Sequence, residues 1–189
     1  MGAMRTIPPA VALLALLWTA SAPAVADQND PRLERLFHQL AAVRTAPEAS
    51  DIDAQITALW TKSGSDTVDV LMARAQLAVE VQDFAAAKKL LDSVVEMRPE
   101  YAEVWYRRAE LLLLMDSQQE AASDLQKAIE LEPRHYKALA AAGRIADTAN
   151  DKAAALAAYR RAVILNPMME SVARRAGQLT FEVERKPPT

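Results

Sequence analysis

Between Glu48 and Lys186 the chain carries three prolines, Pro99, Pro133 and Pro167, and each lies 34 residues from the next. Proline lacks an amide donor and turns the residue before it away from helix, so it closes a helical element. The stretches leading into these prolines repeat as well: Val94-Val95-Glu96-Met97-Arg98, Ala128-Ile129-Glu130-Leu131-Glu132 and Ala162-Val163-Ile164-Leu165-Asn166. A fixed period with fixed punctuation restricts the chain to stacked copies of one small unit, each burying its apolar face against its neighbours.

The unit is a pair of helices. Phe84, Ala87, Leu90, Leu91, Val94 and Val95 follow the three-and-four spacing of one buried stripe. Small residues recur in register at Ala75, Ala109 and Gly143, at Ala87, Ala121 and Ala155, and at Val94, Ala128 and Ala162. Small side chains let two helix axes cross closely, so these positions mark where the helices of a hairpin touch. Bulkier residues fill the neighbouring holes: Leu71, Trp105 and Leu139 in one register, Leu91, Leu125 and Tyr159 in another. Gln82-Asp83, Asp116-Ser117 and Asn150-Asp151 break each pair and place Asp or Ser to cap the second helix. The pattern predicts helices over 68–81, 84–97, 102–115, 118–131, 136–149 and 152–165. An alanine-rich chain with only four glycines and few β-branched runs agrees with an all-α fold.

These residues closely resemble the tetratricopeptide repeat family. Trp105, Ala109, Ala121, Leu125, Ala128 and Pro133 match its signature in the middle unit, and Leu139, Gly143, Ala155, Tyr159, Ala162 and Pro167 match it in the third. The first unit has Leu71, Ala75, Ala87, Leu91 and Pro99, with Val94 in place of the usual Ala. The family's Gly-Asp/Asn-Tyr corner appears only as Gln82-Asp83-Phe84. The resemblance implies three units, 68–101, 102–135 and 136–168, within a repeat region 67–168. It further implies a right-handed α-α superhelix with a concave surface lined by the first helix of each unit.

The flanks extend the array. Residues 27–66 hold two helical stretches around Pro47, Leu33 to Val43 and Ile52 to Trp60, read as a degenerate amino-terminal hairpin or cap. Residues 169–183 make a last amphipathic helix covering the third unit, and 184–189 form a disordered tail. Residues 1–26 read as a cleavable export signal: Arg5, an apolar run from Val11 to Trp18, and Ala24-Val25-Ala26 before the polar Asp27. The apolar run falls well short of the ~20 residues a spanning helix needs, so cleavage after Ala26 leaves a periplasmic chain with no transmembrane segment. The 22 basic and 25 acidic residues give a net charge of −3, and losing Arg5 makes it −4. Nucleic-acid binding, which requires a basic face, is not expected.

Catalytic chemistry has little to stand on. The absence of cysteine excludes thiolate nucleophiles, disulfides and zinc-thiolate sites. No nucleophile motif or glycine-rich phosphate loop is present, so neither cofactor nor metal is expected. Glu110, Glu120, Asp124, Glu130 and Glu132 read as solvated helix faces, His135 as a surface turn residue, and the Ser63-Gly64-Ser65-Asp66 stretch after Trp60 as a helix stop followed by a cap.

Binding is the remaining function. The resemblance places ligand contacts at Met72, Gln76 and Glu80 in the first unit and at Tyr106, Arg107, Glu110 and Leu113 in the second. Lys137, Ala141 and Arg144 complete them in the third. Relatives that grip a chaperone's carboxy terminus use a clamp of Lys, Asn and Arg, of which only Lys137 is present; Met72, Gln76, Arg107 and Ala141 depart from it. The expectation is a periplasmic adaptor holding a peptide or helical segment of another protein in its concave groove. The alternative is a self-assembling repeat protein joined through its ends near Met168 and Met169.

Overall fold

The computed structural model describes residues 27–184, so the segment read as an export signal and most of the expected tail lie outside the described residues. Within them, a short 3-10 turn at Asp27–Asn29 leads into nine α-helices and no strand. The first two are α1 (Pro31–Ala42) and α2 (Ala46–Trp60). Three hairpins follow: α3 (Asp66–Glu80) with α4 (Phe84–Met97), α5 (Ala102–Leu114) with α6 (Gln118–Leu131), and α7 (Tyr136–Thr148) with α8 (Lys152–Leu165). Helix α9 (Glu170–Glu184) closes the array.

The period is expressed in backbone geometry. Gln82, Asp116 and Asn150, each 34 residues apart, adopt left-handed φ values of 60°, 61° and 61°. The amide of the following residue then donates to the carbonyl of Ala78, Leu112 or Ala146, at 2.8 Å each time. This is the wrap that satisfies a helix's last carbonyls, and Asn and Asp tolerate the left-handed position better than most side chains. Asp83 and Asp151 accept from the amides of Ala86 and Ala154 at 3.0 Å, as the sequence predicts. Ser117, expected to do the same, makes no side-chain cap bond.

Packing follows the small-residue register. Ala75, Ala87, Ala109, Ala121, Ala128, Ala155 and Ala162 are all buried, as are Gly143, Leu125, Leu139 and Tyr159. Trp105 is half-buried and donates from Nε1 to the Pro99 carbonyl at 2.8 Å, fastening a helix to the proline turn before it. Pro99 and Pro133 sit exposed in their turns and Pro167 half-buried in its own.

The amino-terminal hairpin packs chiefly against the third unit and α9. Leu33, Leu36, Phe37, Leu40, Ile56, Leu59 and Trp60 share one apolar core with Tyr136, Leu139 and Ala140 of α7 and with α8 and α9. The repeat register explains why. Positions 34 before Ala87 and Leu91, which form the helix crossing in the first unit, are Asp53 and Thr57. A carboxylate and a hydroxyl at a dry crossing would be buried without partners, so α2 cannot stack as another second helix.

Candidate functional site

The first helices of the units, α3, α5 and α7, line the concave face, and α2 lies across part of it. Asp53 receives the Tyr136 hydroxyl and a salt bridge from Lys137 at 3.1 Å. Lys137 Nζ also donates to Thr57 Oγ1 at 2.8 Å. At the other end of α2, the Trp60 carbonyl accepts from the Tyr101 hydroxyl at 2.9 Å. Gln28 ties the segment before α1 to the start of α5, its Oε1 accepting from the Ala102 amide at 2.9 Å.

His135 is the centre of this junction, not the surface turn residue the sequence predicts. It is 1% exposed, stacked on Trp60 at 4.3 Å between ring centroids and tilted against Tyr106 at 4.5 Å. Its Nδ1 accepts from the Ala138 amide at 3.1 Å and so caps α7, which leaves Nε2 to donate to Glu103 Oε2 at 3.2 Å. Glu103 is buried and takes a second bond from Arg107 Nε at 2.7 Å. Burial pushes the Glu103 carboxyl up, but the bond from His135 and the Arg107 guanidinium outweigh it and hold it below the usual carboxylate range. Arg107 reaches on to Glu110 at 3.4 Å, and Glu110 accepts from the Tyr106 hydroxyl at 2.6 Å. The inner part of this chain, His135 and Glu103, is spent internally, while Arg107 and Glu110 at its outer end stay 31% and 40% exposed. The Trp60 Nε1 alone is buried without a hydrogen-bond partner among the described residues.

The predicted groove residues divide accordingly. Met72, Gln76, Arg107 and Glu110 come together around a cavity of about 440 Å³ between α3 and α5, which Val79 and Leu111 floor with apolar surface and the exposed Leu114 borders. Glu80 is exposed beside it and accepts from Gln76 at 3.2 Å. Arg144 is exposed on α7. Tyr106 is corrected: at 7% exposed it belongs to the core that α5 shares with α6 and α7, together with the half-buried Leu113 and the buried Ala141. Lys137 is corrected too, since α2 already occupies it. Sequence reasoning missed Asp69, Val79, Leu111 and Leu114; their three-and-four spacing from Met72, Gln76 and Arg107 on the same helix faces was the available signal. Among the described residues no three His, Asp or Glu side chains form a metal-ligating group, and no helix is long and apolar enough to cross a membrane.

The tetratricopeptide repeat profile matches residues 72–122 and 116–168. A TPR repeat-containing protein of Rhizobium etli is 35% identical over 136 residues, spanning 72% of this chain and 67% of that protein. Among solved structures, the first TPR of Spaghetti (RPAP3), bound to the HSP90 peptide SRMEEVD, superposes with a TM-score of 0.58 at 16% identity, over 62% of this chain and 93% of that one. The TPR2B-domain:pHsp70 complex of yeast Sti1 gives 0.55 at 23% identity, over 65% of this chain and all of that one, 100%. MamA gives 0.56 at 18% identity, over 81% and 76%. At these identities the structural likeness speaks for the fold.

Proposed function

Because the chain belongs to the tetratricopeptide repeat family, we propose that it is a non-catalytic adaptor that holds a peptide or helical segment of another protein between α3 and α5. The observation that carries this reading is the cavity of about 440 Å³ at Met72, Gln76, Arg107 and Glu110. It is the part of the concave face that α2 leaves open. Its apolar floor suits an aliphatic or aromatic anchor, and Arg107 and Glu110 at its rim offer one charge of each sign to set register. Two of the structural neighbours are complexes with chaperone peptides. Of the family's chaperone-tail clamp this chain keeps only Lys137, with Met72, Gln76 and a buried Ala141 at other clamp positions, which argues for a partner other than a chaperone tail. Read as a cleavable leader, residues 1–26 support a periplasmic setting in the bacterial cell envelope as part of this proposal.

The test is a crosslinked pull-down from the native envelope with tagged full-length protein, beside a Met72→Glu/Leu114→Glu variant. Leu114 is exposed at the cavity rim and Met72 half-buried beside it, and circular dichroism of the variant checks that helicity is unchanged. A partner captured by the wild type and lost by the variant is the expected result. The same proteins in both lanes, or none in the wild-type lane, would remove the cavity as the binding site.

A further inference from the structure

In a stacked array the first helix of each unit receives the second helix of the unit before it. Val104 and Leu111 on α5 show what that contact buries: they are 0% and 1% exposed and share a cluster with Leu91 and Val94 of α4. The same register on α9 holds Val172 and Leu179, at 8% and 0%. On α3 it holds Val70 and Leu77, at 57% and 59%. The helix that would cover them by sequence order, α2, has gone to α7.

Arg74 lies between these two residues, and its counterpart one period on is Arg108. Arg108 Nη1 donates to Asp92 of the preceding α4 at 3.0 Å, while Nε and Nη2 grip Asp124 of α6 at 2.7 and 2.8 Å. Arg74 has neither acid. The position matching Asp124 is Leu90, and the position matching Asp92 is Ala58, on the departed α2. Arg74 is exposed and forms no ion pair among the described residues.

We infer that the outer face of α3, formed by Val70, Arg74 and Leu77 and continued by Val81 just past its end, docks an amphipathic helix from a partner protein. That helix carries an acidic residue inside its aliphatic stripe, as Asp92 stands beside Leu91 and Val95 on α4. These four residues form one stripe with helical spacing. The proposal is independent of the concave site, because Met72 and Gln76 face the cavity from a different side of α3.

The probe is a side-chain-bridged, fluorescently labelled peptide of residues 83–98, titrated into the full chain by anisotropy. Saturable binding is expected. Leu77→Asp should weaken it at least about tenfold, and Arg74→Glu by about tenfold, with thermal melting unchanged because both residues are exposed. A peptide with Asp92→Lys should recover affinity for Arg74→Glu and lose it for the wild type. Met72→Glu should have no effect. Absence of saturable binding, equal binding to Leu77→Asp, or failure of the charge swap would overturn the proposal. So would a wild-type dimer in sedimentation that Leu77→Asp makes monomeric, since a second copy would then be the occupant.

Discussion

Gly143 stands where the first two units carry Ala75 and Ala109, and the reason lies across the hairpin, where Tyr159 replaces Leu91 and Leu125. A Cβ on Gly143 would lie 2.5 Å from Tyr159 Cε1, 2.6 Å from Cδ1 and 3.2 Å from Cγ. Cγ is the root of the ring, so swinging the ring tip aside does not clear the contact. Tyr159 is itself only 3% exposed and has no open space to retreat into. Gly143→Ala therefore sets two opposed effects against each other. Alanine is favoured over glycine in a helix interior by about 1 kcal/mol. Forcing a methyl into a close-packed crossing costs about 1–3 kcal/mol, and distances this short put the cost at the upper end. The net expectation is a loss of about 1–2 kcal/mol.

In a Tyr159→Leu background the same substitution rebuilds the Ala/Leu pairing of the other two units, so the clash disappears and the helix preference remains. Gly143→Ala should then stabilise by up to about 1 kcal/mol. The ring area lost in Tyr159→Leu cancels in the double-mutant cycle, leaving a coupling of about 2–3 kcal/mol. Urea unfolding followed by far-UV circular dichroism and by tryptophan fluorescence measures it, provided the two transitions coincide. A Gly143→Ala effect of the same sign in both backgrounds would refute the argument that Tyr159 dictates the glycine.

Trp60→Ala removes the ring that stacks on His135 and should cost about 3–5 kcal/mol. In the surviving folded protein, released α2 should leave Lys137 open to acetylation, read by mass spectrometry; unchanged labelling would mean that Trp60 does not anchor α2. For Glu103, the folded carboxyl lies below its unfolded value of about 4.3, so its contribution is fully present above that pH and is lost as pH falls through the folded value. Glu103→Gln should accordingly lower stability at neutral pH and flatten the decline below about pH 4. An equally steep acid decline in the variant would exclude the Glu103 cluster as its source.

What was legible in the sequence was local. The 34-residue spacing of Pro99, Pro133 and Pro167 and the small residues at Ala87, Ala121 and Ala155 fix helix ends and crossings through neighbours a few turns away, and the three repeat hairpins lie where they place them. The site was less legible because its decisive contacts are long-range. Asp53 meets Tyr136 and Lys137 across 83 and 84 residues, and no periodicity encodes that pairing. A signal was nevertheless present, since Asp53 and Thr57 occupy positions where every other unit has apolar side chains. His135 looked like a surface turn residue for the same reason: its burial comes from Trp60 on α2 and Tyr106 on α5, not from its own neighbours.

Why α2 lies on the concave face, and not over α3, is a question of competing burial. Leaving Val70 and Leu77 exposed forgoes about 1.5–3 kcal/mol for each side chain. Docking over α3 would bury them but would also bury Asp53 and Thr57 at the crossing, at about 1–3 kcal/mol for an unpartnered polar group and more for a charged one. On the concave face those two residues instead meet Tyr136 and Lys137, while Trp60, Phe37 and Ile56 are all buried. Aromatic side chains bring more apolar area than the two aliphatic ones left behind, so the concave position wins. The same displacement closes the groove at α7 and at the start of α5, and leaves α3 open on two sides. Departures from the repeat, and not the repeat itself, thus determine which surfaces of this array remain free to bind.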